Sequence, residues 1–353
     1  MSINASNAIA MIQRFRSNRR WKSLLKDCEK KIAQPIKKLS TEQKREIKDF
    51  YSRFGFKSVD TCYHQYIYSI TDYFSPKYLP EDFFHGVLEN TYNCRGFYAA
   101  WEDKAFMPYI LDCVRFPETI CCNVNGIFFD KNRKIISQKD AEKLIADSGD
   151  LFAKPTLASG GGRGAFLIHN DNQSEVFDRL KKNFIVQRRI IQSDETAAFN
   201  PSSVNTEKVV SFMFDGEVHI LSSIMRVGAE GSVTDAAASG KGYFFGIKED
   251  GSAADCGMNI FGKRRSNDYY GNPIKGRIIT HHSEICDIVK RAHKYFPYFG
   301  FMSWDFCVNN NDEVLLIEYN TGYPVALVYQ MVTGPFLGEL TDSVLADVQK
   351  RYR

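Results

Sequence analysis

The sequence predicts an α+β fold that opens with a mainly helical region, and three observations carry that expectation. From about residue 101 onward, short apolar runs bounded by turn residues alternate with helical periodicities. Tight-turn signals, Asp215-Gly216 and Asn309-Asn310-Asn311-Asp312, join neighbouring apolar runs into antiparallel hairpins. The first hundred residues lack this alternation and carry helical spacing and a helix cap instead. A chain of 353 residues is long enough for two or three packed subdomains around a sizeable core.

The elements follow in order. Up to residue 51 the chain is basic, with Ile12, Phe15, Trp21, Leu24 and Leu25 near helical spacing and Lys and Arg between them. This pattern fits a solvated helix packed on the body, and it also fits attachment to an acidic membrane surface or an acidic partner. Ser40-Thr41-Glu42-Gln43 has capping-box character and starts a further helix. Residues 51–100 are aromatic-rich and irregular, with short helices at best, one of them beginning in "SPKYLPEDFF". A helix from Asp103 follows in "DKAFMPYILDCVRF", then a hairpin around Asp130-Lys131-Asn132-Arg133, and a helix in "SQKDAEKLIADSG" stopped by Gly149. Two strands flank the glycines of "LFAKPTLASGGGRGAFLIHN", with the helix "SEVFDRLKKN" and the strand "FIVQRRII" behind them. Residues 208–228 form two strands, and 229–276 are polar and glycine-rich. The amphipathic helix "SEICDIVKRAHKYFP", the hairpin "GFMSWDFCVNNNDEVLLIEYN" and the helix "FLGELTDSVLADVQKRY" complete the chain. A change of texture near 101 sets residues 1–100 apart from 101–353.

Composition narrows the classes. Apolar content of 44% and charge of 25% are those of a soluble globular protein, and the aromatic share of 14% is high. A net charge of +4 gives no footing for nucleic-acid binding. The nine cysteines form no CxxC pair and no Cys/His cluster with zinc spacing, so they read as free thiols of a reducing compartment. With no signal-peptide pattern and no long apolar run, the expected location is the cytoplasm.

Three groups of residues can carry chemistry. A glycine-rich tip, Gly160-Gly161-Gly162 and Gly164, bares backbone N–H groups that can close on phosphate oxygens, and Lys154 just upstream adds a point charge. In a Walker loop the lysine follows the glycines and a helix comes next; here the lysine precedes them and a strand follows, so that reading fails. The kinase glycine loop and its HRD partner are absent too. A lid over a nucleotide and an ordinary glycine turn both remain open. In the final hairpin, Glu318 and Asn320 lie two apart and so share a face. Asp305 joins them if paired residue numbers sum to an odd value, for instance with 305 opposite 316, and Trp304, Phe306, Leu315, Ile317 and Tyr319 then point to the core. Two carboxylates and an amide oxygen make a hard donor set suited to Mg²⁺, and the competing reading is an acidic solvated face. In the third group, Arg226 interrupts an apolar strand and needs an anion, for which a ligand phosphate is the expected source. Lys208 and Asp235 stand in the same neighbourhood, and "NPSSVNTEKVV" before them suits a turn.

Taken in order, Asp103-Lys104, "FAKPTLASGGGRG", "FIVQRRIIQSDE", "NPSSVNTEKVV", "MRVG", "SVTDAAASGKG" and "WDF…IEYNTG" resemble the ATP-grasp superfamily, and within it the sugar-transfer-associated branch, over roughly 101–340. The resemblance implies two α+β lobes clasping ATP, a lid-bearing one over 101–190 and a metal- and phosphate-binding one over 191–353. It implies that Lys104 and Lys154 contact the phosphates, that the glycine hairpin 160–164 folds over them, and that Gln187, Arg188 and on to Ile190 form the adenine hinge, with Asp194 at the ribose. It gives Asp305, Glu318 and Asn320 one or two Mg²⁺ ions, and Arg226 the transferring phosphoryl group. Arg188 stands where the family often has Glu, Lys208 where Arg is expected, and the first hundred residues match no ordinary first lobe.

The activity this resemblance implies is an ATP-dependent carboxylate–amine ligase working through an acyl phosphate, with Arg226 and Lys154 as the catalytic groups. Its substrates would be a small carboxylate and an amine, sugar-linked or amino-acid building blocks of a cell-surface polysaccharide. The same apparatus would serve a kinase acting on a sugar or other hydroxyl. It would also serve a non-catalytic nucleotide-binding partner of a glycosyltransferase, docked on that enzyme or on a membrane surface through the basic N-terminus.

Overall fold

A computed structural model describes residues 19–157, 160–235, 240–322 and 324–351, and every structural statement concerns these. Ile12 and Phe15 of the basic segment, Ala158-Ser159 of the glycine hairpin and 236–239 of "SVTDAAASGKG" lie outside them.

Two antiparallel sheets organise the chain. The first comprises β1 (Thr119–Val124), β2 (Ile127–Asp130), β3 (Ile135–Ile136), β4 (Leu151–Pro155), β5 (Phe166–Ile168) and β6 (Phe184–Arg188), in the order β3-β2-β1-β6-β4-β5. Asn125-Gly126 closes β1 on β2 with both residues at positive φ, the geometry a two-residue hairpin demands. Helices α4 (Gln138–Ala146) and α5 (Glu175–Leu180) cover one face, where Ile120, Ala141, Ile145, Leu151, Val176, Phe184 and Val186 form a separate core.

The second sheet comprises β7 (Thr206–Phe214), β8 (Glu217–Val227), β9 (Tyr243–Ile247), β10 (Gly257–Met258), β11 (Arg264–Arg265), β12 (Phe301–Val308) and β13 (Val314–Asn320), in the order β11-β10-β9-β8-β7-β12-β13. Asp215-Gly216 makes the β7–β8 turn as the sequence predicts. Strand β9 arises inside the stretch that reads as polar and glycine-rich; all five of its residues are buried, so it shows no alternation to betray it. Helix α6 (His282–Ala292) packs on one face through Ile285, Ile288 and Val289, against Trp304, Phe306 and Leu316.

The other face meets the N-terminal region. A helix α1 over residues 19–30, α2 (Thr41–Ser52) and α3 (Cys62–Thr71) share one core with Val210, Phe212, Ile224, Phe244, α7 (Ala326–Thr333) and α8 (Thr341–Arg351). Ser40 caps α2 in the expected capping box. The described part of the basic helix packs on the body through Trp21, Leu25 and Cys28, and Trp21 lies flat on His85 at 4.4 Å. Residues 51–100 are more regular than the sequence reading has them. Tyr63, Tyr66, Ile67 and Ile70 follow a helical stripe in α3, and Glu81–Phe83, the π-helical Phe84–Leu88 and Glu89–Tyr92 run on from one another. Conversely, the helix expected from Asp103 shrinks to Met107–Ile110, because Pro108 would fall inside a longer one. Asp103 instead accepts the Ala105 N–H at 3.0 Å.

Candidate functional site

The two sheets face one another across a cleft of ≈ 930 Å³. On the first sheet, Phe152 and Lys154 alternate onto the cleft side of β4, and Gln187 stands opposite Phe152 on β6. On the second, register sets the site. Arg226 pairs with Thr206, Lys208 with Asp305, Asp305 with Glu318, and Ser303 with Asn320, so these side chains share one face across four strands.

The odd sum expected for the last hairpin therefore holds at the functional end, with Glu318 rather than residue 316 opposite Asp305. Beyond it a bulge shifts the register so that Phe306 meets Leu316. The extra residue is Ile317, and two expectations are corrected there: Leu316, not Leu315 or Ile317, packs with Trp304 and Phe306. Ile317 lines the cleft, and its carbonyl accepts from Lys154 Nζ at 3.4 Å.

Along the cleft face of the second sheet the charges interlock. Lys208 Nζ binds Asp305 Oδ2, Arg226 Nη1 reaches Asp305 Oδ1 at 3.0 Å, and Arg226 Nη2 reaches Asp235 Oδ1 at 3.1 Å. The anions that satisfy Arg226 are thus the protein's own carboxylates rather than an awaited phosphate alone. Asn320 Nδ2 lies 3.4 Å from Asp305 Oδ2, and Lys104 Nζ lies 3.1 Å from Glu318 Oε2. Burial works against the Glu318 carboxylate, but Lys104, Lys154 and Lys208 outweigh it and hold its pKa down to about 2. Burial lowers the Lys154 ammonium to about 8, with Glu318 only partly restoring it. For Arg226, burial is outweighed by Asp235 and Asp305, which keep the guanidinium firmly charged. Burial raises Asp235 despite that neighbour.

Of the residues singled out from sequence, Lys104, Lys154, Gly161, Gly162, Gln187, Arg188, Ile190, Asp194, Lys208, Arg226, Asp305, Glu318 and Asn320 all line this one cleft. Gly160 belongs to the same short turn as Gly161 and Gly162, while Gly164 packs at the hairpin base, where a Cβ would come within 3.1 Å of Pro155. Gly161 and Gly162 have φ of 72°, and a Cβ on Gly162 would stand 3.0 Å from Thr234 of the second lobe. At the hinge, the Arg188 N–H donates to Glu118 O at 2.8 Å and its side chain binds Glu118 at 2.6 Å. The Gln187 amide donates to Pro117 O. "NPSSVN" is indeed a turn, knit by Gln192, Asn200 and Asn205 amides bonded to nearby carbonyls.

Sequence reasoning missed two features. Glu102, beside the Asp103-Lys104 pair, lines the cleft and accepts from the Thr321 N–H at 2.7 Å and its hydroxyl at 2.9 Å, fixing the chain just after Asn320. On the opposite face of β7 from Lys208, Glu207 Oε1 lies 2.6 Å from His282 Nδ1, with Cys286 Sγ 3.7 Å from that ring's Nε2. These three are 207, 282 and 286 in sequence, a spacing that carries no motif.

Among solved structures, the chain is similar to the ATP-grasp ligase PsnB complexed with minimal precursor, Mg and ADP, with a TM-score of 0.42 and 11% identity over 71% of this chain and 60% of that one. It is also similar to a biotin carboxylase–βγ-ATP complex from Campylobacter jejuni, with a TM-score of 0.43 and 14% identity over 72% of this chain and 46% of that one. A D-alanine–D-alanine ligase from Coxiella burnetii aligns with a TM-score of 0.40 and 11% identity, over 72% of this chain and 60% of that one. The chain thus spans between 46% and 60% of the length of these three proteins. No curated protein is matched by the sequence. No helix among the described residues is long and apolar enough to cross a membrane. Residues 177–346, which include β7 to β13 and the carboxylates they align, match the model of the sugar-transfer associated ATP-grasp family, and it is this family that the chain resembles.

Proposed function

We propose that this protein is an ATP-dependent carboxylate–amine ligase that acts through an acyl phosphate. The observation that carries the reading is the convergence on one cleft of Lys104, Lys154, Lys208 and Arg226 with Asp235, Asp305 and Glu318, brought from widely separated segments. A constellation of both signs, with Lys154 and Asp305 buried and the others half-buried, suits a polyanion that arrives with a cation and departs after transfer.

Phe152, Leu167 and Ile190 offer an apolar slot for a purine where the chain leaves β6, and Asp194 lies within reach of a ribose. Lys104 and Lys154 balance phosphate charge, and the N–H groups of Gly161 and Gly162 cover it and keep water out. Asp305, Glu318 and Asn320 fit a divalent cation: they are hard oxygen donors on one face, and Glu318 is held ionised at neutral pH. Magnesium there would offset charge on the phosphoryl oxygens. Arg226, always charged, stabilises the phosphoryl group in flight and the tetrahedral centre that follows. No side-chain nucleophile is needed. The family description supports a product connected with sugar transfer.

Calorimetry tests the first step: purified protein should take up ATP in a magnesium-dependent manner. Product analysis tests the chemistry, since ADP, free phosphate and an amide are expected. A phosphorylated acceptor without free phosphate would instead make the protein a kinase. The absence of magnesium-dependent uptake would remove the reading altogether.

A further inference from the structure

The cleft continues past its charged end and changes character there. Ile224 stands opposite Lys208, and Phe244 stands opposite Arg226, on the same face of the sheet. Val325 and Val328, three residues apart at the start of α7, are half-buried and line the same cleft beside them. The next residue, Tyr329, also lines it, and its buried hydroxyl has no hydrogen-bond partner among the described residues. The wall therefore turns from ionic to aliphatic and aromatic immediately beside Arg226. A volume of ≈ 930 Å³ lies near the upper end for a pocket holding one small ligand.

We propose that this wall is the subsite for the acid, and that the carboxylate substrate carries an aliphatic or aromatic body rather than a hydroxyl-bearing sugar ring. The assignment rests on the acyl-phosphate reading above. A sugar acid placed here would strip water from several hydroxyls and set them against Val325 and Val328, with the buried Ile224 and Phe244 beside them, and among these residues the Tyr329 hydroxyl alone could meet one of them. An apolar body loses nothing of that kind and gains from leaving water. The carboxylate end then faces Arg226. A carboxylate oxygen attacks the γ-phosphorus, and the bond from that phosphorus to the oxygen bridging to the β-phosphate breaks. ADP leaves with the electron pair. An amine nitrogen next attacks the acyl carbon, inorganic phosphate departs, and the nitrogen's proton passes to solvent.

Hydroxylamine can replace the unknown amine, so that the full chain with ATP and Mg²⁺ yields, from any acid it activates, a hydroxamate that colours when ferric ion is added. The acids to compare are 3-methylbutanoate, phenylacetate and D-glucuronate. The two apolar acids should give a kcat/KM about tenfold or more above that of glucuronate. Val328→Asn should cut that advantage about tenfold with the KM for ATP unchanged. Val325→Asn, read beside it, does the same without depending on one variant's folding, and a melting curve checks both. Glucuronate outpacing the apolar acids, or two folded variants with undiminished preference, would overturn the subsite and leave the ligase standing. No hydroxamate from any of the acids, with ATP bound, would overturn the acyl-phosphate reading and the subsite together.

Discussion

The two sheets are tied into the molecule differently. The second shares a continuous core with the N-terminal helices, α7 and α8, so that Trp21, Tyr66, Phe212, Phe301 and Val344 belong to one packed unit. The first keeps its own core, from Ile120 to Val186, and meets the second through side chains across the cleft and a few backbone bonds near the hinge, such as Ser193 N–H to Val308 O at 2.9 Å. The carboxylates of the site therefore sit in the larger frame, while the glycine hairpin rides on the lobe with fewer attachments. Fewer shared contacts mean a lower cost of local motion, which the proposed cover over phosphate would require. The residues before 101 belong with the frame.

The largest expected effect breaks or confirms this division directly. Phe212 is fully buried and stacks on Phe301 at 4.0 Å, and Phe184 is equally buried among Phe128 and Phe177. Replacing either by Ala should cost about 3–5 kcal/mol. Hydrogen exchange should separate them: Phe212→Ala should loosen the N-terminal helices together with β7 to β13, and Phe184→Ala only residues 119–188. Uniform loosening in both variants would mean that the lobes are one cooperative unit.

Next in size is Asp305→Asn, which removes the carboxylate shared by Lys208 and Arg226. Turnover should fall by roughly 10²–10³, while hydrogen exchange in the first lobe stays as in the parent. A variant that keeps its activity would show that Asp305 merely neutralises its two cations.

Much of this was legible beforehand, and the reasons are local. The pairing of Asp305, Glu318 and Asn320 on one face follows from strand alternation, and Asp215-Gly216 and Ser40-Gln43 are signals of adjacent residues. The bulge at Ile317 was not legible, because register depends on how β12 sits between β7 and β13 and not on the hairpin alone. Strand β9 and helix α7 escaped notice because burial on nearly every side erases the period that marks an element. The partners of Arg226 lie 9 and 79 residues away, and no spacing rule connects them.

A smaller effect sharpens the contact between the lobes. Gly161→Ala and Gly162→Ala place a Cβ at the same positive φ and should each cost about 1–2 kcal/mol of lid conformation. Around Gly161 there is open space, whereas at Gly162 the new Cβ would press on Thr234. The KM for ATP should therefore rise more for Gly162→Ala, and Thr234→Ser, by removing the methyl, should recover part of the difference. Equal KM values for both alanine variants would mean that the hairpin does not close on Thr234.

The last effect concerns the frame alone. His282 is buried against Glu207 of β7 and Cys286 of its own helix, with Glu195 adding negative charge nearby. Burial opposes the imidazolium, but the hydrogen bonds to Cys286 and Glu207 outweigh it and raise the pKa to about 10. A group whose folded pKa is raised binds its proton more tightly when folded. Its stabilisation is complete below the unfolded value of 6.5 and is lost as pH climbs through about 10. The melting temperature of the parent should therefore exceed that of His282→Gln most at pH 6.5, with the gap narrowing steadily towards pH 10. Because the pair lies beneath the second sheet, hydrogen exchange in residues 119–188 should be indifferent to both the substitution and the pH step. A gap that stays constant with pH would mean that the imidazole is held neutral and contributes only its hydrogen bond.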